Sequence, residues 1–193
     1  MKTFLLELRT SLLLTLVFAV LLCGVYPLAV FAGAQLFFPE KANGSLITDA
    51  TGAVRGSTLL AQSFTSEKYF QPRPSAAGTG YDASSSSGTN LGPTSQKLAD
   101  AIKANIAAYR TANALAPDAP VPADAVTSSG SGLDPHISLA NAQLQVARVA
   151  HARALAPSQV HALVAVHTHA RDLGLFGEPT VNVLELNLAL DPR

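Results

Sequence analysis

The chain has 193 residues, room for one compact domain and an appendage. Its 13 basic and 13 acidic side chains cancel, which argues against nucleic acid as a partner, because phosphate binding draws on a basic excess. Charged residues make up 13% of the chain, about half the usual share for a soluble protein.

Residues 10–39 carry no charged side chain, and 12–38 are mostly Leu, Val, Phe and Ala. A membrane span needs about 20 such residues, so this run predicts a transmembrane helix over 11–38, with some of it tilted or protruding. A signal peptide is the alternative, with Ala32-Gly33-Ala34 resembling a cleavage site, but its apolar region usually runs only about 7–15 residues. A lipoprotein reading through Leu21-Leu22-Cys23 is poorer, because bulky Leu22 precedes the cysteine. Cys23 is the single cysteine, so there is no internal disulfide and no cysteine for a zinc site or redox motif beyond the apolar run. Lys2, Arg9 and the N-terminal amine precede the run, opposed by Glu7, while Glu40, Lys41 and Asp49 follow it. That bias places residues 1–10 in the cytoplasm and 39–193 outside it. Pro27 interrupts the span by removing a backbone donor, and Ala29 with Gly33 forms a small-xxx-small step that permits close helix approach. Both features fit a helix packed against others, and both are common by chance.

Beyond the span, residues 45–49 and 54–60 read as short strands joined at Thr51-Gly52. Residues 62–69 are ambiguous. Residues 72–94 are rich in Pro, Gly and Ser and have neither a helix nor a strand period. A loop this long is either disordered or functional, and Phe70, Tyr81 and Leu91 as spaced anchors favour an ordered one. Residues 95–113 form an amphipathic helix, with Leu98, Ile102, Ile106 and Tyr109 on one face. A Pro- and Ala-rich connector (114–123) leads to a second irregular segment, in which Asp134-Pro135 reads as a helix start. Helix is expected over 138–155 and again over 159–172, with Pro157-Ser158 between them and Gly174 as the stop. Leu184, Leu186, Leu188 and Leu190 alternate with other residues, so 181–191 reads as a final strand. The expected fold class is α+β, with helices packed on a small sheet.

Chemistry by motif is sparse. His161, His167 and His169 fall on one predicted helix, but 167 and 169 point to opposite sides and no His-x-x-x-His step exists; no metal site is expected. The Ser-Gly-Ser-Gly run with Asp134 and His136 suggests a hydrolase triad, yet its glycines do not form the nucleophile elbow. Neither a Walker loop nor a dinucleotide fingerprint is present, nor an Asp-Lys-Thr-Gly phosphorylation sequence. By its residues alone, this is a binding or scaffolding module. A secreted hydrolase predicts cleavage near Ala34 and dependence on Ser131 or His136. A sensor ectodomain predicts no co-purifying channel.

Four blocks carry a resemblance. The first is Tyr69-Phe70-Gln71-Pro72-Arg73-Pro74-Ser75-Ala76-Ala77-Gly78 with Tyr81-Asp82; the second is Ser87-Gly88-Thr89-Asn90-Leu91-Gly92-Pro93-Thr94. The third opens at Val121-Pro122 and runs through Ser129-Gly130-Ser131-Gly132-Leu133-Asp134-Pro135-His136 to Gln145-Val146 and Arg148-Val149-Ala150. The fourth holds His167-Thr168, Arg171, Leu173-Gly174, Gly177-Glu178-Pro179 and Val181-Asn182-Val183-Leu184 with Leu186-Asn187. With Tyr26-Pro27 in the span, these blocks cover essentially the whole chain, which resembles the KdpC family, the C subunits of bacterial Kdp potassium-transporting ATPase complexes. Thr127-Ser128-Ser129 departs conservatively from the Thr-Ala-Ser expected there.

The resemblance implies a non-catalytic accessory subunit of the bacterial inner membrane. Its partners would be a channel-like potassium subunit, a P-type ATPase subunit and membrane lipid. It implies a catalytic chaperone that raises the ATP affinity of the ATPase subunit, or else a structural or potassium-entrance element. ATP and potassium enter at the level of the complex, with no cofactor bound by a loop motif of this chain. Since ATP is cytoplasmic and the charge bias puts the domain outside, direct ATP contact by Arg73 or Ser131 conflicts with the topology. Carried over by motif, the contact candidates are Arg73, Ser75, Tyr81, Asp82, Asn90, Ser129, Ser131, Asp134, His136, Gln145 and Glu178, with Pro27, Ala29 and Gly33 for helix packing. The structural alternatives are that Asn90 and Asp134 cap turns and that Arg73 pairs with Asp82.

Overall fold

The computed structural model describes residues 2–49 and 51–191. The N-terminal amine, counted above in the charge bias, lies outside them. Two compact units meet between Leu46 and Ile47, somewhat beyond the boundary set by hydropathy.

The first unit is one long helix. It comprises α1 (Lys2–Val20), a π-helical turn (Leu21–Val25) and α2 (Tyr26–Phe37). The 35 residues Thr3–Phe37, whose most apolar 18-residue stretch has a mean hydropathy of 2.5, are long and apolar enough to cross a membrane. At a rise of ~1.5 Å per residue the helix exceeds the ~30 Å of a hydrocarbon core. Pro27 has no N–H for the carbonyl four residues back. The helix meets that defect by widening just before it, where the Tyr26 N–H donates to the Leu21 carbonyl five residues earlier. Phe38, at φ −140°, ends the helix and starts the short α3 (Pro39–Ala42).

The boundary falls within β1 (Leu46–Thr48), which forms a hairpin with β2 (Val54–Ser57) at the start of the second unit. The hairpin turn is organised by Asp49, whose Oδ1 accepts from the Thr51 and Ala53 amides and the Thr51 hydroxyl, while Oδ2 accepts from Arg55. The Thr51 hydroxyl leads in holding the Asp49 carboxyl down at about 2, aided by the two amides and Arg55. The second strand is shorter than the sequence suggests, because residues 58–60 turn away.

The long loop is ordered and delivers the chain to α4 (Gln96–Ala112). Tyr109 on the expected apolar face of α4 is buried with Ala125 and Val126, and Ile102, Ile106 and Leu144 pack around them. A 3-10 turn (Ala123–Ala125) precedes β3 (His136–Ser138). Asp134-Pro135 is therefore not a helix start. Pro135 enters a strand and its carbonyl accepts from Val183. The helix α5 (Leu139–Arg153) begins later, with the Ser138 hydroxyl as its cap. Asp124 holds that cap in place by accepting from the Ser138 amide and hydroxyl.

Pro157 is the first residue of α6 (Pro157–Val166) rather than part of a break. The helix stops at Val166, well short of 172, because the chain leaves it to form β4 (Thr168–His169). Gly174 is thus not its stop, and His161, His167 and His169 do not share a helix. The last segment is corrected most. Only β5 (Thr180–Asn182) is strand, and α7 (Val183–Leu190) replaces the rest. Asn182 caps α7 by accepting from the Leu184 and Glu185 amides. The buried residues Val183, Leu184, Leu186, Asn187 and Leu190 are linked by helical steps of three and four.

The sheet order is β3-β5-β4, antiparallel, with Ile137 opposite Val181 and Thr168 opposite Val181 on the other side. Helices α5, α6 and α7 pack with it around Phe70, Ile137, Val146, Val149, Val160, Val164, Val181 and Leu186. Each such burial contributes about 1.5–3 kcal/mol before chain entropy is counted. The α+β class expected from the sequence holds.

Candidate functional site

The two irregular segments predicted to carry function form one structure. Its base is the irregular run 67–71, which turns where the Tyr69 amide donates to the Ser66 carbonyl and pairs with no strand among the described residues. Backbone polar groups taken from water need partners, and here side chains of α5 and α7 supply them. Asn187 accepts from the Phe70 amide at 2.8 Å and donates to the Phe70 carbonyl at 2.9 Å. Gln145 does the same for Gln71, at 2.8 and 3.1 Å. Arg148 donates to the Glu67 and Tyr69 carbonyls and to Gln145 Oε1. Burial lowers the Arg148 guanidinium from its ordinary value. Asn141, Gln145 and Arg148 lie on one face of α5, joined by a bond from Gln145 Nε2 to Asn141 Oδ1 at 2.9 Å. The buried Tyr109 hydroxyl donates to the same Asn141 oxygen at 2.7 Å. Burial first, then the nearby Asp124 charge, pushes the Tyr109 phenol well above its usual range.

Above this base the loops cross. Arg73 Nη1 donates to Asp134 Oδ2 at 3.0 Å, so Arg73 pairs with Asp134 and not with Asp82. Arg73 Nε is buried and without a partner among the described residues. Burial works to raise the Asp134 carboxyl, but bonds from the His136 ring and amide and from Arg73 outweigh it and hold it below its ordinary value. Asp134 thus acts both as turn cap, accepting from the His136 amide at 3.0 Å, and as ion-pair partner. Ser75 is the crossing point. Its hydroxyl donates to the Gly132 carbonyl at 2.6 Å and accepts from the Tyr81 amide at 2.8 Å. The Tyr81 hydroxyl donates to the Arg73 carbonyl at 2.8 Å, and burial raises that phenol.

In the Ser-Gly-Ser-Gly run, Gly132 is explained by close approach, while Gly130 has open space where a Cβ would point. A Cβ on Gly132, at φ +68°, would sit 2.5 Å from the Ser87 carbonyl oxygen and 2.7 Å from the Ala77 nitrogen. One on Gly88 would sit 2.9 Å from the Gly130 oxygen. Ser131 receives the Ser87 amide at its carbonyl, and its hydroxyl accepts from the Leu133 amide and lies 3.3 Å from that of Ser129. These hydroxyls face hydroxyls and backbone, which is the chemistry of a folded loop rather than of an activated nucleophile.

Pairs of acid and histidine flank the crossing. His136 Nδ1 lies 3.5 Å from Asp134, His169 Nε2 lies 3.3 Å from Glu185, and the two rings meet edge to face with centroids 6.2 Å apart. No group of three or more His, Cys, Asp and Glu suited to a metal ion occurs among the described residues.

The KdpC sequence profile, described as K+-transporting ATPase, c chain, matches residues 8–192. The chain belongs to the KdpC family. Relatives named as potassium-transporting ATPase KdpC subunits agree. The one from Mycobacterium bovis is 55% identical over 185 residues, covering 96% of this chain and 97% of its own. That from Koribacter versatilis is 54% identical over 188 residues (96% and 94%), and that from Rhodospirillum rubrum 59% over 174 (90% and 89%).

In this KdpC-family chain the candidates sort by geometry. Arg73, Ser75, Tyr81, Asp134 and His136 are brought together, with Ser129 and Ser131 on the same crossing and Gln145 beneath it. Asp82 stands apart as a turn cap, accepting from the Ser84 amide and hydroxyl, which lower its carboxyl. Asn90 is an exposed left-handed residue at φ +52°. Glu178 pairs with Arg171 at 2.6 Å. In the long helix, Pro27 adjoins the π turn, and Gly33 has open space where a Cβ would point. Sequence reasoning missed the supporting polar residues Asn141, Asp124 and Asp191, and carried Asn187 only as part of the fourth block. Asp191 accepts from Tyr69 and Arg153 while the Arg153 guanidinium lies 4.8 Å from the centre of the Tyr69 ring. For Asn141 and Asn187 the available signal was a polar side chain at helical spacing on an otherwise apolar face.

Proposed function

We propose that this chain is the single-span accessory subunit of an ATP-driven potassium uptake complex in the bacterial plasma membrane. The match to the K+-transporting ATPase c chain along residues 8–192 carries this reading. The apolar helix anchors the chain, with its N-terminus in the cytoplasm and the second unit outside, in keeping with the order of charges around the span. The partners are a channel-like potassium-binding subunit and a P-type ATPase subunit. The chain performs no turnover alone, and the phosphorylation sequence such pumps require is absent from it.

The subunit raises the ATP affinity of its ATPase partner without touching ATP. Coupling of this kind needs only that it bind two states of the complex differently. The outward rim of the crossed loops, with Asn90, Ser129, Ser131 and His136, contacts the other subunits. Ser75, Tyr81, Gln145 and the Arg73–Asp134 pair keep that rim in shape. A second reading, a structural or potassium-entrance element with no effect on ATP, is supported by the same order of charges around the span, which assigns the unit to the outside.

The test is a mild-detergent pull-down of the tagged chain with mass spectrometry and potassium-stimulated ATP hydrolysis. Recovery of both larger subunits with that activity supports membership, and a clean monomer overturns it. Rim substitutions that raise the KM for ATP support coupling. Substitutions that change potassium affinity alone favour the second reading.

A further inference from the structure

The residues from 171 to 178 form a turn that stands apart from the crossed loops. Asp172 and Phe176 exchange both backbone bonds at 2.9 Å. Arg171 and Glu178 close its base at 2.6 Å. Between them, Leu173 is 89% exposed, Leu175 75% and Phe176 64%. Leu173 also holds a left-handed backbone at φ +53°, which a branched side chain adopts only under constraint. A braced turn that displays three large apolar side chains, one of them strained, contributes little to its own unit. A rigid apolar knob of this kind is preorganised for docking.

Two kinds of occupant are open to such a knob, and charge decides between them. Loops that insert into bilayers carry Lys or Arg around the apolar tip to meet anionic headgroups. Here the turn holds one basic side chain, Arg171, already paired, against two acidic ones, Asp172 and Glu178. Just before the turn, His169 lies beside a further acid, Glu185. An apolar centre with a polar, acid-leaning rim matches a protein interface.

We propose that Leu173, Leu175 and Phe176 insert into an apolar socket with a basic rim on another protein subunit of the complex. The inference rests on the accessory-subunit reading above. Its test places the photo-cross-linker p-benzoylphenylalanine at 175 in the full chain, co-expressed with its complex, with position 104 on the exposed face of α4 as control. Adduct formation with a protein subunit from 175 and not from 104 is the expected result. An adduct with lipid, or none while the complex purifies intact, overturns the docking turn alone. If even the unlabelled chain retains no other subunit, the accessory-subunit reading falls and the docking turn with it. The double variant Leu175→Ser/Phe176→Ser should retain partner subunits about tenfold or more weakly, with an unchanged melting transition of the chain itself.

Discussion

Gly132 and Gly130 lie two residues apart in one Ser-Gly-Ser-Gly run, and their geometry predicts unequal responses to alanine. At Gly132 a Cβ meets the Ser87 oxygen at 2.5 Å, the Ala77 nitrogen at 2.7 Å and the Ala77 Cβ at 3.1 Å, with φ at +68°. The left-handed backbone alone costs a residue with a Cβ about 1–2 kcal/mol. Two of those neighbours are backbone atoms of segments held by their own hydrogen bonds, so the strain of overpacking adds about 1–3 kcal/mol. Gly132→Ala is therefore expected to lose about 2–5 kcal/mol of stability. At Gly130 nothing lies within 4 Å of the added carbon and φ is not positive, so Gly130→Ala should stay within about 0.5 kcal/mol. Urea unfolding of the two full-length variants in detergent, followed by tyrosine fluorescence, measures the difference. Equal midpoints would refute the claim that three chain segments converge on Gly132.

Other expectations follow from the same network. Asn187→Ala strips both backbone bonds from Phe70 and should cost about 2–4 kcal/mol, read by the same unfolding curves. The Asp134 carboxyl is lowered on folding, so its contribution is complete above its unfolded value near ~4 and is lost as pH falls through the folded one. In Asp134→Asn the decline of stability with acid should be shallower than in the parent, and an unchanged slope would contradict the pairing. NMR titration should place Asp49 at about 2, and Thr51→Val should move it back toward ~4 by removing the leading bond. Tyr109→Phe leaves the Asn141 oxygen short of a donor and should cost about 1–2 kcal/mol.

What composition and local period can reveal, the sequence revealed. An uncharged run long enough for a span and the apolar stripe of α4 depend on neighbours in sequence alone. The misreadings arose where tertiary partners decide. Leu184, Leu186, Leu188 and Leu190 fit a two-residue period, but Val183, Leu186, Asn187 and Leu190 fit a helix equally well. Asn187 is buried because Phe70 needs it, and no local pattern announces that. Likewise α6 ends at Val166 because Thr168 pairs with Val181, a residue thirteen positions later in the chain. At the site, the loop residues were legible as a set, but the Arg73–Asp134 pair joins positions 61 residues apart and only the fold makes it. Asp82, closer in sequence, was occupied by its own turn.

The π turn at Leu21–Val25 changes what a neighbouring helix encounters along the span. Such a turn is an α-helix holding one residue too many, and each extra residue turns the following faces by about 100°. The side chains of α1 and those of Tyr26–Phe37 therefore belong to two stripes that no straight helical wheel aligns. Deleting one residue within Leu21–Val25 would merge them and swing the Ala29 and Gly33 face away from whatever it meets, while leaving the hydropathy of the segment almost untouched.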